Sequence, residues 1–254
     1  MNALLEGKRV SRHFGGLPAV DGVDFHIAPG EICGFIGPNG AGKTTLVNLI
    51  TGVFPVTGGE IWFRGQNITN LPSHVIGKMG LARTYQVAKP FSGMTVRENV
   101  LIGALHGKSG RGKTVSEASR RAEEIMELLK LMPKRNIDMA ETTIPDRKKV
   151  ELAKALAMDP ELLLLDEVMG GLNSAEVEEM MGIVQSLRKI RGITILLIEH
   201  VMKAIMGISD RVVVLHHGRK ICEGMPEQIT RDEKVIKAYL GERYAKARGR
   251  EGNV

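Results

Sequence analysis

Apolar and polar positions alternate through residues 1–30, with Val20, Val23, Phe25 and Ile27 in phase and turn signals at Gly15-Gly16 and Pro29-Gly30. A period of two predicts antiparallel strands with one buried face. Ile61-Trp62-Phe63-Arg64-Gly65-Gln66 predicts a further strand and turn. Glu31–Ile36 reads as a short buried strand, and Leu46–Ile50 continues at helical spacing. From about residue 95 to 140 the pattern turns helical. Glu117 to Leu131 sets Ala118, Ala122, Ile125, Leu128 and Leu129 on one face, with Arg120, Glu123, Glu124 and Glu127 elsewhere. The glycine-rich Gly107–Lys113 before it reads as a mobile loop. The pattern then predicts a helix over Lys148–Met158, a strand at Glu161–Leu165, a helix at Ala175–Arg191, a strand at Thr194–Glu199 and a hairpin around His217-Gly218. Strands alternating with helices predict an α/β fold with a parallel sheet; the antiparallel start and the helical middle read as appended subdomains.

Between the strand Glu31–Ile36 and the helical Leu46–Ile50 lies Gly37-Pro38-Asn39-Gly40-Ala41-Gly42-Lys43-Thr44-Thr45. Strand, glycine-rich turn with Gly-x4-Gly-Lys-Thr, then helix is a phosphate-binding loop in its required context. The glycines let backbone N–H groups point at phosphate oxygens, and the helix adds the positive end of its dipole. Lys43 then reaches the β- and γ-phosphates, and the Thr44 hydroxyl ligates Mg²⁺. A second site ends the four-leucine run Leu162–Leu165, typical of a strand buried on both faces. Asp166 stands at its carboxyl end, where ligands bind in parallel sheets, and fits a Mg²⁺-holding acid. Glu167, one residue on, is placed to act as general base on the attacking water.

With 254 residues, 43% hydrophobic and 25% charged, the chain fits one large domain or a core with a subdomain. No apolar run approaches the roughly 18 residues of a membrane helix, and Met1–Val10 lacks the apolar centre of a signal peptide. Cys33 and Cys222 have no neighbour at metal spacing and read as ordinary buried thiols. These features predict a cytosolic protein. The net charge of +6 invites a nucleic-acid reading, but the basic residues are spread along the chain. Three Tyr, six Phe and one Trp, none interleaved with a basic run, offer little for base stacking. No nucleic-acid partner is expected.

Further residues fall in a telling order. Gln86 closes Ala82-Arg83-Thr84-Tyr85-Gln86, His200 follows Ile195-Leu196-Leu197-Ile198-Glu199, Gly171-Leu172-Asn173-Ser174 follows Glu167, and Phe14 precedes the phosphate loop. Together with the two Walker motifs they make the chain resemble the ATP-binding subunits of ABC transporters over essentially its whole length. The resemblance implies a single ABC ATPase domain over 1–254. That domain is a P-loop NTPase core with a parallel sheet, an antiparallel β subdomain, a helical subdomain at about 90–160 and a C-terminal extension at about 225–254. It implies ATP and Mg²⁺ as cofactors, with Gly37, Pro38, Asn39, Gly40, Ala41, Gly42, Lys43, Thr44 and Thr45 binding the nucleotide. Phe14 would stack on adenine, and His200 would contact the γ-phosphate. Gln86 would touch Mg²⁺ and water and connect the site to membrane subunits. The implied partners are a second ATP-binding subunit, permease subunits that supply the translocation path, and a solute-binding protein. The implied location is the cytoplasmic face of the inner (plasma) membrane.

The subfamily narrows further. Gly80-Leu81-Ala82-Arg83-Thr84-Tyr85-Gln86, the run from Asp166 to Glu176, Ile198-Glu199-His200 and Val235–Glu242 resemble importers of branched-chain amino acids. ATPases for urea, short amides and similar solutes share this look, and those of lipopolysaccharide export share it less closely around Gln86. Non-transport ABC ATPases are an alternative class, but they generally carry two ATPase units or a long coiled coil; this chain has one phosphate loop and no sustained heptads. A regulatory subunit with negligible turnover is another, opposed by Glu167 and His200.

One departure matters. Where the family carries a signature resembling Leu-Ser-Gly-Gly-Gln, this chain reads Thr142-Thr143-Ile144-Pro145-Asp146. In the family that signature clamps the γ-phosphate held by the opposite subunit. Thr143 keeps a hydroxyl, Pro145 removes an N–H donor, and Asp146 either brings a negative charge to the partner's site or caps the helix. Val168 after Glu167 is a milder departure, since proline is usual there. The expectation is a pairing with a different ATPase chain and two unequal sites.

Overall fold

The computed structural model describes residues 3–85, 91, 93–108 and 114–240. Along the chain run β1 (Leu5–Phe14), β2 (Leu17–Ile27), β3 (Ile32–Ile36), α1 (Lys43–Ile50), β4 (Gly58–Phe63) and β5 (Gln66–Asn67). There follow α2 (Ser73–Lys78), β6 (Leu81–Arg83), α3 (Val96–His106), α4 (Val115–Leu128), α5 (Ile144–Ala157), β7 (Leu162–Asp166), α6 (Ser174–Arg191) and β8 (Thr194–Ile198). The chain closes with α7 (Met202–Ile208), β9 (Arg211–His216), β10 (Arg219–Gly224), α8 (Pro226–Ile229) and α9 (Glu233–Leu240). Two compact units emerge, one of Met1–Asn70 with Leu197–Val254, the other of Leu71–Leu196.

In the first unit the alternating amino-terminal pattern becomes a four-stranded antiparallel sheet, ordered β2-β1-β4-β5. Leu5, Val10, Val20, Val23, Phe25 and Ile27 supply its buried face. Strand β3, buried at all five positions, pairs in parallel with β9, and β9 pairs antiparallel with β10 through the His217-Gly218 turn. Burial pushes the Cys33 thiol in β3 up to about 12, which keeps it protonated and inert. The α/β architecture with parallel and antiparallel pairings is the one the pattern predicts.

In the second unit β6 and β7 pair in parallel, Arg83 opposite Leu164, and every residue of β7 is buried. Helix α3 packs on α4 and α5. Thr95 and Thr114 start α3 and α4 with reciprocal capping boxes to Glu98 and Glu117. The apolar face of α4 buries Ala118, Ala122, Ile125 and Met126, and the helix stops short of Lys130, which is left-handed. Residues 109–113 of the expected loop lie outside the described residues.

Helix α5 starts earlier than the apolar pattern implies, at Ile144 rather than Lys148, because Thr143 caps it and Pro145 sits in its first turn. The α3–α5 contact is unusually close. A Cβ on Gly103 would lie 2.2 Å from the Lys154 carbonyl oxygen, and one on Gly107 would lie 2.2 Å from the Met158 backbone. Backbone cannot retract cheaply, so Gly103→Ala should cost about 1–3 kcal/mol of stability by overpacking. Gly182→Ala on α6, where no atom lies within 4 Å, should instead gain about 0.5–1 kcal/mol from helix propensity. Urea denaturation of the two variants beside the parent checks both signs; equal stability for Gly103→Ala would mean α3 and α5 are not in backbone contact there.

Candidate nucleotide site

The phosphate loop of the first unit is built on glycine. Gly37, Gly40 and Gly42 have φ of 156°, 77° and 100°, and Gly42 in the left-handed region immediately precedes α1. A Cβ at Gly37 would meet the Leu215 carbonyl oxygen at 2.2 Å, and one at Gly42 the Ala19 carbonyl oxygen at 2.5 Å. The Gly218 N–H donates to the Ala41 carbonyl at 3.0 Å, so the turn between β9 and β10 props the loop from outside. Lys43 Nζ, half-buried, donates to the carbonyls of Gly37 at 2.6 Å and Pro38 at 3.1 Å. Its ammonium therefore lies over the loop's own concavity. Helix geometry leaves first-turn N–H groups to be satisfied from beyond the helix, which suits an anion at Lys43–Thr45.

Phe14 ends β1 and is 42% exposed, edge-on to Phe54 at 5.5 Å with the Arg12 guanidinium 4.6 Å over its ring. His200 follows β8 and is exposed, beside the buried Glu199. Tyr239 on α9, which the sequence marked only as part of the Val235–Glu242 run, also reaches the loop. The Gly37 N–H donates to its phenolic oxygen, partly offsetting the burial that pushes the phenol up. Phe14, the phosphate loop, His200 and Tyr239 all belong to the first unit.

The second unit carries the two carboxylates. Asp166 ends β7 at 1% exposure. Its N–H donates to the Thr84 hydroxyl at 3.1 Å, and the Thr84 N–H to the Leu164 carbonyl at 2.9 Å. Arg83 Nη2 donates to Asp166 Oδ2 at 2.7 Å. Burial pushes the Asp166 carboxyl up, and Arg83 only partly offsets it. The other oxygen, Oδ1, is buried with no hydrogen-bond partner. A buried orphan carboxylate oxygen at a strand's carboxyl end suits the coordination shell of a hard divalent cation, so Mg²⁺ fits this residue.

Glu167 has φ of 52°, a left-handed conformation that costs a residue with a Cβ about 1–3 kcal/mol unless its surroundings hold it. Here they do. Its carbonyl accepts from Lys148 Nζ at 2.8 Å and from the Gly170 N–H at 3.2 Å, and Val168 and Met169 beyond it are buried. Val168 thus replaces the expected proline as a core residue. Asn173 of the Gly171–Ser174 run caps α6, accepting from the N–H groups of Ala175 and Glu176 at 3.0 Å. Gln86 lies outside the described residues.

The degenerate signature folds back on itself. The Thr143 hydroxyl donates to Asp146 Oδ2 at 2.6 Å, and Lys134 Nζ donates to the same oxygen at 2.6 Å. Burial pushes the Asp146 carboxyl up, but Lys134 and Thr143 outweigh it and hold it below the usual range. The cap is Thr143 and not Asp146: the Thr143 hydroxyl accepts from the Asp146 N–H, and the Asp146 carboxylate is held within the chain by Lys134 and Thr143.

Comparison with known proteins gives these features a family. A profile described as "ABC transporter" matches residues 20–170, and one described as "Branched-chain amino acid ATP-binding cassette transporter" matches residues 219–245. The chain is 41% identical to the high-affinity branched-chain amino acid transport ATP-binding protein LivG of Escherichia coli K12, covering 94% of this chain and 98% of that one. It is 38% identical to BraF of Pseudomonas aeruginosa, a protein of the same description, with the same coverage. Among solved structures, a nucleotide-free ATP-binding cassette from an ABC transporter superposes with a TM-score of 0.86 at 31% identity, over 95% of this chain and all of that one. The ADP conformation of an ATP-binding cassette gives 0.84 at 30% identity, with the same coverage. With its phosphate loop, its buried Asp166 and this similarity over nearly its whole length, the chain belongs to the ATP-binding ATPase subunits of ABC transporters.

Proposed function

We propose that this chain hydrolyses ATP to drive uptake of branched-chain amino acids through permease subunits, at the cytoplasmic face of the membrane. The observation that carries the solute class is the pair of similarities to branched-chain amino acid transport ATPases, one over nearly the whole chain and one confined to residues 219–245. Among the described residues no helix is long and apolar enough to cross a membrane. In this reading partner permeases carry the solute, and a solute-binding protein delivers it.

In this reading ATP lies on the loop from Gly37 to Thr45, with Lys43 turning from its carbonyl partners to the β- and γ-phosphates. Thr44 and Asp166 would hold Mg²⁺, whose charge would offset that developing on the phosphates. Glu167 takes the proton of the attacking water. Its left-handed backbone, fixed by Lys148 and Gly170, sets where that carboxylate is presented. His200 contacts the γ-phosphate, Gln86 relays the state of the site to the permeases, and Phe14, with Arg12 on its ring, stacks on adenine. The helical segment at about 90–160 carries the signature helix α5 and acts as its own subdomain.

The test is ATP-dependent leucine uptake by proteoliposomes holding this chain, its permeases and a binding protein. In that assembly Glu167→Gln should leave ATP binding near normal and lower turnover about 10²–10⁴-fold, the usual cost of a lost general base. Undiminished turnover would assign the base elsewhere.

The pairing follows from the signature. Thr143 has spent its hydroxyl on Asp146 and Pro145 has no N–H, so α5 offers a partner's γ-phosphate fewer donors than a regular signature. Loss of one transition-state donor costs about 2.7–4 kcal/mol in an oxyanion site. We infer a heterodimer with a fast site on this chain's own Lys43 and Glu167, and a slow one on the partner's loop. Replacing the catalytic glutamate of each subunit in turn should stop transport when it is Glu167 and leave a substantial fraction when it is the partner's. Equal effects would refute the asymmetry.

A further inference from the structure

One of the two carboxylate oxygens of Asp166 is already taken. Arg83 Nη2 holds Oδ2 at 2.7 Å, with the two side chains 7% and 1% exposed. The contact is built into the sheet, because β6 and β7 pair in parallel with Arg83 opposite Leu164. Thr84, the next residue, ties the same two strands by bonding both Leu164 and Asp166. The guanidinium also lies 4.9 Å over the Tyr85 ring. What remains is Oδ1, buried and with no hydrogen-bond partner.

We propose that Arg83 is a positioning residue for the divalent cation: it immobilises Oδ2 of Asp166 so that Oδ1 alone is presented to the metal's coordination shell. The proposal rests on Asp166 being the acid that holds Mg²⁺. One physical argument supports it. A free carboxylate can rotate, whereas a charged donor on the neighbouring strand holds one of its oxygens in place. Partners that orient a metal ligand through its second oxygen typically contribute about 10–100-fold to metal affinity.

The experiment is a Mg²⁺ titration of the binding of a non-hydrolysable ATP analogue to the full chain, for the parent, Arg83→Met and Arg83→Lys, with a chelator arm to measure metal-free binding. Circular dichroism confirms the fold of each. Arg83→Met should raise the Mg²⁺ concentration for half-maximal binding about 10–100-fold and change metal-free binding less than about twofold, since the proposed role acts only through the metal. Arg83→Lys, keeping the charge but not the reach and direction of the Nη2 contact, should fall between the two; it also carries the test if Arg83→Met fails to fold. An unchanged Mg²⁺ requirement in Arg83→Met, or an equal loss with and without metal, overturns the proposal while leaving the metal role of Asp166 intact. A parent protein with no Mg²⁺ requirement overturns that role and this proposal together. Unfolding of both variants assigns Arg83 to the fold alone and overturns it too.

Discussion

Little room surrounds the α-carbons of Gly37 and Gly42, and the chemistry of the first unit depends on it. Carbonyl oxygens of Leu215 and Ala19 stand where a Cβ would project from them. The loop can close on itself only because nothing occupies that space, and closing on itself is what turns its amides toward a common centre. The rest follows from that crowding. Helix α1 begins where the left-handed Gly42 releases it, Lys43 folds over the Gly37 and Pro38 carbonyls, and the Gly218 turn is pulled into hydrogen-bonding reach of Ala41.

In the second unit charge is the organising quantity. Asp166, Glu167 and Asp146 are carboxylates in or near helix and strand termini, and each is managed differently. Asp166 is buried against Arg83. Glu167 is managed through its backbone, by Lys148 and Gly170 at its carbonyl. Asp146 is neutralised by Lys134 and Thr143. In each case a single cation, Arg83, Lys148 or Lys134, meets the acid or its backbone.

What could be read from the sequence was local. The phosphate loop spans nine consecutive residues whose spacing alone implies the geometry, and four leucines before Asp166 announce a strand buried on both faces. The helices and strands around them were legible to within a few residues because their apolar periods are regular. The pairing of Arg83 with Asp166 was not legible, because 83 residues separate them and either could have been a surface charge. Lys148 was read only as the start of a helix, and Asp146 could be placed only when Lys134, twelve residues earlier, proved to reach it. The start of α5 was missed for a related reason: Pro145 reads as a helix breaker until Thr143 is seen to cap, and a first-turn proline lacks only an N–H that the helix could not have used.

Tyr239 has a practical consequence. Its hydroxyl rests on the N–H of Gly37, and its helix is anchored through Asp232, which bonds the N–H groups of Lys234 and Val235 and accepts from the Cys222 thiol on β10. The first residue of the phosphate loop is therefore in mechanical contact with the carboxyl-terminal side of the chain. An affinity tag or a truncation that unseats α9 removes an acceptor from Gly37, so where a tag is placed on this chain bears on the first residue of its glycine loop.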